Sequence, residues 1–334
     1  MDGAEAAERP AAVVLGAGGF IGRTVCAALR AAGWPVAAVG RRAVHPPAGC
    51  RAVRLDVART DPKTLTAELA ALRPGLVVNA AGALWDVTDD ELTEGNVTLV
   101  ERLLDAVAAQ PRPVRLVHIG SAYEYGPHPG KRLVESLPAR PVGRYAQTKL
   151  AGTRLVTRAV ADGRVDATVL RIAVSVGPFA PRHSLLGGIT RQLAAHPDVL
   201  RLPPIDGVRD VIDVRDVADA VLCAARADRP PPVVNIGSGV GVRLTDLVEE
   251  LIRIAGPRAA GARVVPAAPP AVRRDTGVGS QPLDIGLAHR AFGWSPARTA
   301  LDALQALWDS ARAASGGGTP PVPTSAANEE SIHG

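Results

Sequence analysis

Ala12-Val13-Val14-Leu15-Gly16-Ala17-Gly18-Gly19-Phe20-Ile21-Gly22 is the stretch that decides the fold. Four apolar residues read as a strand, and the glycine turn after them opens a helix near residue 20. Glycines there permit a tight turn, close backbone approach to a diphosphate, and close packing of helix on sheet. The helix N-terminus then faces the phosphates, so Gly16, Gly19, Phe20, Ile21 and Gly22 are expected at a dinucleotide. A glycine pattern alone is weak evidence; its place in the first strand-to-helix turn gives it weight.

Outward from this turn, short valine-rich runs alternate with amphipathic stretches. Strands are expected at Ala12–Leu15, Val36–Val39, Ala52–Leu55, Leu76–Asn79, Val114–Ile119, Ala167–Ile172 and Val233–Ile236. Helices are expected near 20–33, 62–72, 91–109, 144–162 and 215–226. Strand alternating with helix implies an α/β doubly wound parallel sheet covered on both faces. After residue 175 the texture changes to Pro- and Gly-rich loops. The expected organisation is a dinucleotide-binding domain over 10–174 with a return at about 208–236. A smaller, interleaved substrate domain takes 175–207 and 237–312, and 315–334 is a disordered tail.

The second strand ends in Val39-Gly40-Arg41-Arg42. An NAD site places an acid there to hold the ribose 2′-hydroxyl. Two guanidiniums suit a 2′-phosphate instead, so Arg41 and Arg42 point to NADP(H), with NAD(H) left open as the alternative. A solvated turn is the plainer reading of the same two residues.

Composition narrows the class. The 334 residues are 47% apolar and 21% charged, ordinary for a globular protein, and the net charge is +5. The arginines are spread along the chain without basic runs or interleaved aromatics. That argues against nucleic acid and for an anionic small molecule. Cys26, Cys50 and Cys223 are odd in number and far apart, so neither a disulfide framework nor a zinc site is expected. Seven histidines without ligand spacing add no metal site. With no signal-like start and no membrane-length apolar run, a reducing cytoplasm is expected.

Tyr145 and Lys149 carry the chemistry. The chain has three tyrosines and three lysines, yet one of each stands four apart in Tyr145-Ala146-Gln147-Thr148-Lys149. On a helix that spacing puts both on one face, where the ammonium stabilises phenolate and tunes an acid/base tyrosine. Alone, the pair reads more simply as a surface tyrosine packed on a lysine stem.

Taken in order, these segments resemble the extended short-chain dehydrogenase/reductase family, which includes nucleotide-sugar epimerases, dehydratases and ketoreductases. The resemblance covers roughly 11–310. Leu55-Asp56-Val57 is similar to the family's adenine-contacting segment, and Asn79-Ala80-Ala81-Gly82 to the turn beside the cofactor. Asn96 stands like the family's helix asparagine. Ser121, opening Ser121-Ala122-Tyr123-Glu124-Tyr125-Gly126, stands like the catalytic Ser/Thr. Tyr145 and Lys149 match the Y-x-x-x-K pair, while Arg209–Val217, Asn235–Gly239 and Phe292–Pro296 match later motifs. The resemblance implies cofactor contacts from Asp56, Val57, Ala80, Ala81, Gly82, Asn96, Tyr145 and Lys149. It implies catalysis by Ser121, Tyr145 and Lys149, and a homodimer formed through the helices at 91–109 and 144–162.

Three departures select among family members. The 4,6-dehydratases carry acids directly after the Ser/Thr, where this chain has Ala122 and Tyr123. Glu124 is one place late, and on an extended segment that slip reverses its facing, unless a bulge restores it. The family's sugar-nucleotide-contacting Asn is replaced by Val174, which also opens the way to a substrate without a nucleotide. The Arg41-Arg42 pair suits NADPH and hence net reduction. The expectation is an NADPH-dependent 4-ketoreductase of a nucleotide-activated keto-deoxyhexose. Trp85, Ser121, Ala122, Tyr123, Val174, Arg209 and Arg274 would meet the substrate. The alternatives are an NAD-dependent nucleotide-sugar epimerase and, further off, a 4,6-dehydratase or a non-catalytic NADP-sensing regulator.

Overall fold

The computed structural model describes residues 10–84, 87–195, 198–202, 204–266 and 282–316. In chain order the first half gives β1 (Ala11–Leu15), α1 (Phe20–Ala31), β2 (Val36–Gly40), β3 (Arg51–Arg54), α2 (Pro62–Ala71) and β4 (Pro74–Asn79). Then come α3 (Asp89–Thr93), a π-helical turn (Glu94–Thr98), α4 (Leu99–Ala108), β5 (Arg115–Ser121), a 3₁₀ turn (Ala122–Tyr125) and α5 (Arg144–Ala161). The second half gives β6 (Asp166–Ile172), β7 (Val174–Val176), α6 (Leu185–Ala195), β8 (Val199–Leu202), β9 (Val208–Asp213), α7 (Val214–Arg226) and β10 (Val233–Ile236). It ends with β11 (Gly241–Arg243), α8 (Leu244–Ala255), α9 (Pro257–Ala260), β12 (Arg263–Pro266), α10 (Gly286–Phe292) and α11 (Ala300–Gly316).

Seven strands form one parallel sheet in the order β10-β6-β5-β4-β1-β2-β3. The order reverses between β1 and β4, the switch point where doubly wound sheets bind ligands beyond their strand carboxyl ends. One core joins α1, α7 and α10 to one face of the sheet, and a second joins α2, α4 and α5 to the other. Burial of both faces explains why the strands other than the exposed edge strand β3 read as apolar runs rather than alternating ones.

A third core lies among α6, α8, α9, α11 and the strands β7, β8 and β9. Here β9 pairs with β7 and β11, and β8 pairs with β12. Within 208–236, β10 joins the large sheet, whereas β9 belongs to the small three-stranded one. The C-terminal part is pinned to α7 by Asp216, which accepts from the Arg298 side chain at 2.6 Å and from the Ala297 and Arg298 backbone amides. The Trp294 indole donates to the Asp216 carbonyl.

One expected helix is not continuous. The 91–109 stretch divides into α3, the π turn and α4. A wider turn rotates the facing of the residues C-terminal to it. Gly152 of α5 makes room for the result: a Cβ there would stand 2.5 Å from the Asn96 carbonyl oxygen.

Candidate active site

The glycine turn fits a dinucleotide diphosphate. Gly16 has φ +74°, and a Cβ on it would come within 2.7 Å of Ala80 and Ala81 backbone atoms. A Cβ on Gly22 would stand 2.2 Å from the Gly16 carbonyl oxygen. Only hydrogen fits at either place, so β1, the turn and the Asn79–Gly82 segment form one backbone cradle. Helix α1 starts at Gly19 with no side-chain cap and no acid in its first turn. Its first amides and positive dipole end are left for an anion. Phe20 and Ile21 are half-buried on this turn.

Arg41 and Arg42 follow β2 on the surface. Hydrogen bonds from Thr88 hold the Glu91 carboxyl below its ordinary range and the hydrogen bond from Arg59 does the same for Glu94, with a smaller contribution to both from the Arg41 charge. Asp56 is half-buried and Val57 buried, just past β3.

Asn79 and Asn96 lock the turn between them. Asn79 is fully buried; its Oδ1 accepts from the Ala81 amide at 3.2 Å. Its Nδ2 therefore faces His118 Nδ1, 3.0 Å away, which fixes that ring nitrogen as the acceptor. Burial, with a smaller contribution from the neighbouring Lys149 charge, holds His118 well below its usual pKa. Asn96 accepts from the Ala83 amide and donates to the Ala83 carbonyl and to Thr148 Oγ1, each at 3.1 Å. Thr148 in turn donates to the Tyr145 carbonyl at 2.9 Å. Both amide hydrogens of Asn96 are engaged inside the protein, so it joins the Ala83 turn to α5.

At the end of β5, Ser121 Oγ accepts from the Tyr123 amide at 3.3 Å and caps the 3₁₀ turn. The Tyr123 and Tyr145 rings meet edge to face with centroids 6.1 Å apart. Lys149 is buried and donates to the Ile119 carbonyl at 2.6 Å. Desolvation pulls its pKa down from the usual value, and the nearby Glu124 charge partly restores it. Residues 122–125 are a 3₁₀ turn, not the extended segment assumed for the facing argument. The turn carries Glu124 inward, where its two oxygens accept from the Ser121 amide and from Arg171 Nε, each at 2.8 Å.

Ala122, Tyr123, Val174 and Arg209 line one cleft with Ile172, Ala173, Asp210 and Leu283. Arg209 donates to its own neighbour's carbonyl, that of Val208, at 2.8 Å. Asp210 ties the cleft's far wall together by accepting from Ser238, Gly239 and Leu283 amides. Trp85 and Arg274 lie outside the described residues. No metal-binding cluster occurs among the described residues, and no helix there is long and apolar enough to cross a membrane. Thr148, His118 and the Glu124–Arg171 pair were not predicted as site residues. Only the buried polar identities of His118 and Arg171, within valine-rich strands, could have marked them.

A parallel sheet with a glycine-built backbone cradle beside its switch point is the arrangement of a doubly wound nucleotide-binding scaffold. The profile of the NAD dependent epimerase/dehydratase family matches residues 12–237, and the chain belongs to that family. It is an NAD(P)-dependent enzyme of the short-chain dehydrogenase/reductase type. It is 42% identical over 305 residues to dTDP-6-deoxy-L-talose 4-dehydrogenase (NAD(P)(+)) of Kitasatospora kifunensis, covering 88% of this chain and 93% of that one. It is 31% identical over 165 residues to dTDP-4-keto-6-deoxy-D-glucose reductase of Streptomyces niveus, covering 48% and 51%. The solved structure of MoeE5 in complex with UDP-glucuronic acid and NAD shares the fold, with a TM-score of 0.77 and 24% identity over 91% of this chain and 99% of that one.

Proposed function

We propose that this enzyme interconverts a 4-keto and a 4-hydroxyl group on a dTDP-linked 6-deoxyhexose, working as an NADPH-dependent 4-ketoreductase. The observation that carries this reading is the fate of Glu124. Dehydration needs carboxyl groups beside the catalytic Ser/Thr to move the sugar's protons. Here Ala122 and Tyr123 stand in those places, and the next carboxylate along the chain, Glu124, is bound to Arg171 in the interior. Asp210, in the same cleft, is occupied by the Ser238, Gly239 and Leu283 amides, and the tyrosine, lysine and serine suit proton transfer at one oxygen. The full-length relative that acts at the sugar's 4-position supports the same choice.

In this reading a dinucleotide held at the glycine turn would supply the hydride for the carbonyl carbon. Tyr145 gives its phenolic proton to the carbonyl oxygen, and Ser121 hydrogen-bonds that oxygen. The Lys149 ammonium favours the phenolate left behind. Lys149 is steadied by the Ile119 carbonyl and by the Glu124 charge. Gly16, Gly19, Gly22 and the amides of Phe20 and Ile21 hold the diphosphate. Arg41 and Arg42 take the 2′-phosphate, and Asp56 and Val57 meet the adenine. The cleft holding Ala122, Tyr123, Val174 and Arg209 receives the sugar nucleotide.

The test is product analysis on a panel of nucleotide-linked 4-keto-6-deoxyhexoses with NADPH, and with NADH in parallel. The reading expects NADPH oxidation matched mole for mole by loss of the ketone. Change of the sugar at constant redox level, with NAD copurifying, would replace it by an epimerase.

A further inference from the structure

Phe179 is an aromatic residue in a glycine's conformation. Its φ is +65°, and the residue is 55% exposed. A bulky residue with positive φ costs conformational energy and persists where the surroundings impose it; such residues concentrate at ligand clamps and switches. The surroundings here are visible. The Phe179 amide donates to Ser310 Oγ on α11 at 3.2 Å, and Ala180 packs against the third core. Two residues earlier, Gly177 (φ +143°) approaches Val214 at the start of α7 so closely that a Cβ would stand 2.9 Å from it.

The exposed ring is met from the other side of the molecule. The guanidinium of Arg23 lies 4.4 Å from the ring centroid, a cation–π contact. Arg23 is the fourth residue of α1, and its amide donates to the Gly19 carbonyl at 2.9 Å. It therefore sits on the first turn of the helix whose uncapped N-terminus faces the diphosphate. Among the described residues it has no carboxylate partner within ion-pair distance. The contact joins the glycine turn of the large sheet to the loop leaving β7, across the carboxyl ends of the strands.

We propose that Arg23 and Phe179 form a clasp over the diphosphate end of the dinucleotide site and set how fast the dinucleotide leaves. The positive φ holds the ring out toward α1. Arg23 has its charge free to lean toward the phosphates while its planar face stays on the ring, a combination lysine matches less well. The clasp bears on every turnover, because a reductase must exchange oxidised for reduced dinucleotide each cycle.

The inference rests on the dinucleotide lying at the glycine turn, so binding to the unaltered protein is measured first. Release of NADPH is then followed by loss of its fluorescence on chasing with excess NADP⁺ in a stopped-flow instrument. NADH chased with NAD⁺ is used if the protein prefers it. Arg23→Gln and Phe179→Ala should each speed release about two- to five-fold, the range of an exposed cation–π contact. The double variant should be no faster than the faster single, and Phe179→Tyr should behave as the original. Unchanged release in Phe179→Ala overturns the clasp. So do additive effects in the double variant, which would mean that the two residues act apart. Slower release on removing Phe179 overturns it too. Unaltered protein that binds neither dinucleotide sinks the cofactor site and the clasp with it. Melting temperatures of the variants, expected near the original for so exposed a contact, exclude a folding effect.

Discussion

Glu124 and Arg171 form an ion pair in the interior, Oε2 to Nε 2.8 Å, with side chains 0% and 7% exposed. The pair does more than neutralise itself. The other Glu124 oxygen accepts from the Ser121 amide, and the Arg171 guanidinium lies 4.6 Å from the centre of the Tyr125 ring. Tyr125 donates to Asn235 Oδ1 at 2.7 Å, which continues the chain to β10. A carboxylate that sequence comparison leaves one place out of register thus anchors the strand end that presents Ser121.

Glu124→Gln should leave a buried guanidinium without its counter-charge, a loss of about 3–5 kcal/mol. Urea denaturation measures it. The paired change Glu124→Gln with Arg171→Met removes both charges and should lose less than Glu124→Gln alone. A single variant as stable as the original would mean that the pair is not closed in solution.

His118 gives stability a pH dependence. It is neutral in the folded protein because burial holds its pKa well below 6.5, whereas in the unfolded chain it titrates near that value. Below about pH 6.5 the unfolded chain gains a proton that the folded chain refuses. This contribution is therefore fully present above that pH and is lost as pH falls, by about 1.4 kcal/mol per unit. The melting temperature should drop between pH 7.5 and 5.5, and the drop should shrink in His118→Gln. Equal drops in both proteins would assign the titration to another group.

The large sheet is legible in the sequence because its strands, apart from the mostly exposed edge strand β3, are largely buried and read as apolar runs. The strands β8, β11 and β12 are not, since they are three or four residues long and Leu200 is their one buried residue, with no run to notice. The cradle is legible because glycine is the residue that fits where a Cβ would meet backbone. The inward turn of Glu124 is not, because four residues of 3₁₀ turn have no pattern distinguishing them from an extended strand end. The π turn at Asn96 is hidden for a similar reason. Its cause lies in partners at Ala83 and Thr148, far along the chain from one another.

Gly22→Ala should destroy dinucleotide binding. The added methyl would meet the Gly16 carbonyl oxygen at 2.2 Å, and that oxygen belongs to the backbone of the cradle and cannot swing aside. Fluorescence titration with NADPH and NADH should show no saturable binding. A variant that binds as before would mean that the cradle opens more than its contacts suggest.

Arg42→Ala should lower kcat/KM for NADPH about ten-fold or more and leave NADH unchanged, because a charge-assisted hydrogen bond to a 2′-phosphate has no counterpart on a 2′-hydroxyl. Arg41→Ala should have the smaller effect, since Glu91 and Glu94 already share its field. Parallel losses with both dinucleotides would remove the 2′-phosphate from the account of this turn.

Tyr145→Phe separates chemistry from architecture. The hydroxyl is the proton source in the proposed reduction, and the ring's contact with Tyr123 survives its removal. The helix is held independently, by the Thr148 hydrogen bond to the Tyr145 carbonyl and by Lys149 on Ile119. The fold and dinucleotide affinity should therefore persist while kcat falls about 10²–10⁴-fold, the usual contribution of a positioned acid. Turnover at the original rate would transfer the proton to another group. Loss of NADPH binding along with turnover would instead make the phenol part of the cofactor site, and the acid would have to be sought elsewhere in the cleft.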